Sequence, residues 1–379
     1  MSFLINRPGA ILKAAIEGRG LTTAECAVRL KTSERAVEAI LSGAARMTPA
    51  IGFRAAEAFG TSALLWLNGI VLWNRALEER RRQDTASDEE SRRSLETERI
   101  LQMSDAVADI FACCRPSPSP TEMQRGSEGA RFLGEIGISH DESLGTVAER
   151  TTLYEGVSAL VTGSLLGFDK DIRLNCLLAL AVHDLSSFEV MAVTAGIDAE
   201  PQFMRETLKM LSLVSPGLCQ SRALAILMDK TTSEAHRAVA TELILSVLPY
   251  YERQENEQTQ DFESRLLEGE SWWVRTFIKD ASGFSALALA PFVRMALRPS
   301  SGVEWEDAIE VLIARHTRLA SHILVAAARS PISDIRVDSL VRLFALDHPW
   351  AEEMAKQLCN DTDKEVARCA DRLWRCYGT

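Results

Sequence analysis

The stretch Leu21–Gly43, LTTAECAVRLKTSERAVEAILSG, leaves its backbone few choices. Thr22 followed three residues later by Glu25 is a capping box, in which hydroxyl and carboxylate satisfy the free N–H groups of a helix start. Cys26, Ala27 and Leu30 then share one face, and the small Ala27 lets a second helix cross close by. Ser33 caps that second helix, whose apolar positions Val37, Ile40 and Leu41 recur at spacings of three and four. Gly43 can take the left-handed conformation that stops it. The reading is a helix-turn-helix, with helices near 22–30 and 33–42.

The flanks extend the pattern. Pro8 suits the first turn of a helix over 8–18, with Leu12 and Ala15 or Ile16 pointing inward. Thr48-Pro49 starts a fourth helix to Phe59, with Ile51, Ala55 and Ala58 as its stripe. Ser62 caps a fifth through Trp66, Leu67, Ile70, Trp73 and Leu77, both tryptophans serving core or dimer packing. The phrases Arg7-Pro8-Gly9-Ala10-Ile11-Leu12, Arg46-Met47-Thr48-Pro49, Ala55-Ala56-Glu57-Ala58-Phe59-Gly60-Thr61-Ser62 and Leu65-Trp66-Leu67-Asn68 surround the motif. Together they resemble the HigA-type (XRE, Cro/C1-like) helix-turn-helix antitoxin and repressor family, over roughly residues 5–80. The resemblance implies a five-helix DNA-binding domain, usually dimeric, that represses its own operon.

A helix-turn-helix lays its second helix in the major groove. The outward positions of that helix are Glu34, Arg35, Ala36, Glu38, Ala39 and Ser42. Arg35 suits a bidentate contact to guanine. Glu34 and Glu38 depart from the family's usual Arg, Ser, Thr, Asn or Gln. A glutamate can accept from cytosine but is repelled near phosphate. Thr23, Ser33 and Arg46 match family positions that touch phosphate, and Lys31 stands where many members carry a turn glycine. The expected partner is double-stranded DNA with a palindromic operator, bound by a homodimer.

Charge is unevenly spread. Residues 1–82 hold 12 Lys/Arg and 7 Asp/Glu, a net of +5 within a chain of net −11, so residues 83–379 carry −16. A basic small domain on an acidic body fits local DNA contact, with a body that stays off the phosphates. No apolar run approaches the roughly 20 residues of a membrane helix, and no signal sequence is read at the N-terminus. A cytoplasmic location is expected. The eight cysteines lack metal spacing and read as buried free thiols.

Glu78–Glu98, EERRRQDTASDEESRRSLETE, is read as a linker or solvated helix, with Arg80-Arg81-Arg82 its solvated end. A helix is expected from about Arg99 to Cys113. Arg115-Pro-Ser-Pro-Ser-Pro120 and onward to Gly129 reads as an exposed loop, since alternating prolines interrupt both helix and strand. The expected division is therefore 1–82, a linker over 83–129, and a body over 130–379.

The body shows no strand alternation. Helical phrases recur, at Ile172-Arg173, Met204-Arg205, His236-Arg237, Ile335-Arg336 and Ala367-Arg368. Arg173, Arg205 and Arg237 are each 32 residues apart, as are Arg336 and Arg368, and Trp273-Val274-Arg275 fits with a longer gap. Such a period resembles HEAT repeats, and the resemblance implies that the phrase's Asp and Arg bridge neighbouring repeats. One helix pair cannot bury its apolar stripe alone, so pairs stack into a solenoid. Breaks are expected at Gln254–Asp261, at Pro299-Ser-Ser-Gly302 and at His348-Pro349-Trp350. The expected fold is all-α: a helix-turn-helix domain followed by a HEAT-like solenoid.

No catalytic constellation emerges. His183-Asp184 has no nucleophile motif beside it, and His316 and His322 are six residues apart, off one helix face at metal spacing. Trp272-Trp273 with Arg275 are read as core aromatics rather than a glycosylase pair. Neither enzyme, cofactor nor metal is expected. The leading expectation is a transcriptional regulator whose acidic body docks a partner protein or ligand. The alternatives are an enlarged antitoxin that neutralises a basic toxin through its body, and a helical scaffold that does not bind DNA.

Overall fold

The structure is a computed structural model that describes residues 8–84, 89–136, 147–196, 200–229, 231–247, 284–299 and 302–377. Arg7, the expected break at Gln254–Asp261 and the Trp272-Trp273-Arg275 phrase lie outside the described residues. Among those described, the chain is helical throughout, with no strand. No described helix is long and apolar enough to cross a membrane.

Five helices form the N-terminal unit: α1 (Pro8–Glu17), α2 (Thr23–Arg29), α3 (Glu34–Ser42), α4 (Pro49–Phe59) and α5 (Ala63–Asp84). Each start is chemical. Thr22 and Glu25 make the expected capping box on α2, Ser33 caps α3, and Thr48 caps α4 with Pro49 in its first turn. The core gathers Leu12, Ile16, Cys26, Ala27, Leu30, Val37, Ile40 and Phe59. Helix α1 crosses α3 at Gly9, where a Cβ would sit 2.3 Å from the Ile40 carbonyl oxygen. Trp66 is core: it stacks on Phe59 at 6.0 Å, and its Nε1 donates to Thr61 Oγ1 at 2.8 Å. The stripe of α4 differs from the expected one. Phe53, Ala55 and Ala56 are buried while Ile51 and Ala58 are half-buried, because α4 packs on two sides at once.

The rest of the chain forms two arrays. The first runs α6 (Glu89–Cys113), α7 (Pro120–Glu135), α8 (Val147–Leu166), α9 (Lys170–His183), α10 (Leu185–Ala195), α11 (Pro201–Val214), α12 (Pro216–Met228) and α13 (Glu234–Val247). The second runs α14 (Phe284–Leu297), α15 (Gly302–Arg315), α16 (Thr317–Ala327), α17 (Ser333–Ala345), α18 (Ala351–Leu358) and α19 (Lys364–Tyr377). Within each array most helices touch the next one and the next but one, as stacked helix pairs do.

The expected linker is part of this packing. Helix α6 starts at Glu89 rather than near Arg99 and packs on α7 and α8. Pro120 does not continue a loop: Ser119 and Glu122 form a capping box, and Pro120 takes the first turn of α7, where no N–H is required. Gly129 lies inside that helix.

The body also departs from a single open solenoid. The second array folds back along the first, so that α16 packs on α8 and α14 on α10. The reason lies in these helices themselves. In α10 all of Ser187, Phe188 and Val190–Ala195 are buried, and α8 buries Leu153, Val157 and Ala159–Val161. A helix apolar all round must be covered on more than one face.

Four of the recurrent arginines bridge elements. Arg173 Nη2 donates to the Ala195 carbonyl at 3.1 Å, and its guanidinium lies 4.3 Å over the Phe203 ring. Arg205 pairs with Glu242 at 2.8 Å, and Arg237 donates to the Leu227 carbonyl at 2.8 Å. Arg336 grips Asp361. Arg368, in the last helix, stays within its own helix: it pairs with Glu365 at 3.6 Å and donates to the Lys364 carbonyl at 3.1 Å.

The N-terminal unit is docked on the body rather than tethered to it. Helices α4 and α5 pack on α9 and α11. Phe53 meets the Phe188 ring at 6.3 Å, and Lys209 pairs with Glu57 at 2.5 Å. Arg46 and Asn74 both donate to the Glu135 carbonyl, at 3.3 and 3.0 Å.

Candidate nucleic-acid interface

The turn between α2 and α3 is built without glycine. Leu30 ends α2 and Lys31 follows at φ 49°, in the left-handed region. Lys31 N–H donates to the Val28 carbonyl at 3.1 Å and Thr32 N–H to the Ala27 carbonyl at 3.0 Å, the paired bonds of a Schellman ending. Arg54, from α4, then donates to the carbonyls of Leu30 and Lys31 at 3.3 and 3.1 Å. A side chain of the helix that faces the body thus clamps the turn of the motif.

The ten candidate contact residues do not end up equivalent. Glu34, Arg35, Glu38 and Ser42 are exposed along one side of α3, with Ala36 and Ala39 half-buried beside them. Glu34 does not simply face outward: its Oε1 accepts from Thr23 Oγ1 at 2.8 Å, tying α2 to α3. Ser33 Oγ accepts from the Ala36 N–H, and Ser42 Oγ donates back to the carbonyls of Glu38 and Ala39 at 2.9 and 3.1 Å. Arg46 is turned to the body through Glu135. Lys31, Arg35 and Glu38 are left as the exposed charged groups of the set that hold no hydrogen bond or ion pair.

Helices α4 and α5 pack on the body, while the outward side of α3 is exposed. Between the two units lies a cleft of about 530 Å³ lined by Arg54, Arg131, Glu135, Asp171 and Asn175, among others. Arg54 belongs to both the clamp on the turn and the wall of this cleft.

Among the described residues no group of three His, Cys, Asp or Glu could hold a metal ion. The eight cysteines are free; Cys26, Cys113, Cys176 and Cys219 are buried, and Cys376 is exposed. Burial pushes the Cys114 and Cys219 thiols up to about 12, so they stay protonated.

One polar constellation was invisible in the sequence. Asp184 accepts from Ser187 Oγ at 2.7 Å and Ser186 Oγ at 2.8 Å, and pairs with Arg318 at 3.0 Å, with His322 Nε2 at 3.4 Å. Burial alone would raise its pKa. The bonds from His322 and Ser187 and the charge of Arg318 outweigh that and hold the carboxyl well below the usual carboxylate range. The hydroxyl of Ser187 points at the carboxylate rather than at an imidazole, so the cluster joins the two arrays rather than activating a nucleophile. Comparison with protein-family models, with curated proteins and with solved structures finds no match for this chain.

Proposed function

We propose that the protein is a sequence-selective DNA-binding regulator that represses its own promoter, bound as a homodimer to a palindromic operator. The observation that carries this reading is the exposed side of α3, accessible while α4 and α5 pack on the body. Arg35 is the base-reading side chain, through a bidentate contact to guanine. Lys31 supplies charge at the phosphates, and Glu38 accepts from a cytosine amino group. The net of +5 over residues 1–82 supports the same face. Arg54 lines the cleft beside the body and also clamps the turn that precedes α3, which gives the body a route to the angle of that helix.

The test is a gel shift of the full chain on the DNA upstream of its own gene, at two salt concentrations, against unrelated competitor DNA. Selective binding that weakens with salt is expected. Absence of any shift at low salt refutes the reading. The strongly acidic body favours a second role: a docking surface for a basic protein, a toxin among them. Without a DNA shift, that role would stand alone.

A further inference from the structure

A cavity of about 650 Å³ lies where the two arrays meet, between the ends of α6 and α8 and the helices α14 to α17. Its size is that of a small-molecule site. The wall is largely apolar: Phe111, Leu166, Trp305 and Ile323 contribute, and Trp305 is buried. Two guanidiniums, Arg115 and Arg329, belong to the same wall, and among the described residues no carboxylate does.

Arg329 is held in place before any ligand arrives. Its Nη2 pairs with Glu155 at 2.8 Å, and its guanidinium lies 5.0 Å over the Phe111 ring and 5.4 Å over that of Trp350. A guanidinium carries five N–H donors, so one carboxylate leaves others to offer. Arg115, on the wall of the same cavity, is exposed. The Trp305 N–H is buried and has no hydrogen-bond partner among the described residues, so an acceptor that reaches it from the cavity would satisfy it.

We infer that this cavity binds a small organic anion, an acid with a carboxylate head and an aliphatic or aromatic body. The apolar wall takes the body by removing its surface from water. The carboxylate pairs with Arg329 and Arg115, where planar, bidentate contacts favour it over an uncharged head. A cation of the same size meets Arg115 and the Glu155-paired Arg329, and no carboxylate on the described wall. The site does not depend on the DNA reading, because occupancy is measured without DNA.

The experiment is a calorimetric titration of the full chain with decanoate, and with decyltrimethylammonium as the cationic counterpart. One saturable decanoate site is expected, with binding of the cation at least about tenfold weaker. Ala327→Trp, which puts an indole into the cavity from its wall, should weaken decanoate binding at least about tenfold with the helical circular dichroism unchanged. Arg115→Glu, at an exposed position, should weaken decanoate about tenfold and narrow the gap to the cation. Should Ala327→Trp lose its helical signal, Arg115→Glu decides. No saturable decanoate binding, decanoate binding undiminished in Arg115→Glu or in a folded Ala327→Trp, or equal binding of the cation would each overturn the assignment.

Discussion

Arg336 and Asp361 meet as a fork on a fork: Nε to Oδ2 at 2.9 Å and Nη2 to Oδ1 at 2.8 Å. Arg336 Nη1 also donates to the Ser330 carbonyl at 2.8 Å, so one side chain joins the turn before α17 to the turn before α19. Both side chains are largely buried, at 12% and 10% exposed. Arg336→Ala leaves the carboxylate with a single backbone donor, at Asp363. The expected loss is about 2–3 kcal/mol in urea unfolding. A loss under about 0.5 kcal/mol would show that the end of the second array does not rely on this pair.

Arg35→Ala should abolish sequence selectivity in a gel shift while leaving circular dichroism unchanged, because Arg35 is exposed and bonds none of the described residues. Glu38→Gln should keep selectivity, since its amide oxygen still accepts from a cytosine amino group, and raise affinity several-fold at low salt, since it removes a negative charge from the DNA-facing side. Unchanged selectivity in Arg35→Ala would displace the assigned reading face.

Lys31→Gly should stabilise the fold by about 0.5–1 kcal/mol, because φ 49° costs a lysine what it does not cost glycine. The gain in melting temperature should come with weaker DNA binding, since the same change deletes a cation. A stabilised variant with unaltered affinity would remove Lys31 from the phosphate set.

Gly9→Ala tests the crossing of α1 and α3. The new Cβ would lie 2.3 Å from a backbone oxygen, which no rotamer can relieve. Separating the helices exposes core surface, with an expected cost of about 2–3 kcal/mol by denaturant titration. A neutral result would mean that α1 slides freely on α3.

Acid should loosen the contact between the arrays in two stages. Burial, helped by the charge of His322, pushes His348 down to about 4. The unfolded histidine, near 6.5, binds its proton first, so His348 contributes stability that is full above about pH 6.5 and lost as pH falls to about 4. The loss there is about 2–3 kcal/mol. Asp184 follows: its depressed pKa contributes stability above the usual carboxylate range that is lost below it. His348→Gln should flatten urea stability between pH 6.5 and 4 and leave the lower stage. A profile with the same slope in that window would assign the first stage to another group.

The local chemistry of the first 84 residues was legible because its signals are short-range. Thr22 with Glu25, Ser33, Thr48-Pro49 and Gly43 each act within four residues, and each sits where the structure starts or stops a helix. The prolines after Arg115 misled because a proline disfavours only the residue before it and the helix interior; at Pro120 it is a first-turn residue. The proposed DNA role draws on the resemblance of the first 80 residues to the HigA-type family and on one exposed helix face.

The sequence by itself determined an all-helical chain, since periodicity, caps and breakers are written in neighbouring residues. It also marked the recurrent arginines, which reach nearby elements. What tertiary structure alone decided was the return of the second array onto the first, the docking of α4 by Phe53 on Phe188, and the meeting of Asp184 with Arg318 and His322. These contacts join residues more than a hundred positions apart. A buried stripe tells a chain that it must be covered, but burial is non-directional, and which partner covers it depends on shape and on every other stripe competing for cover.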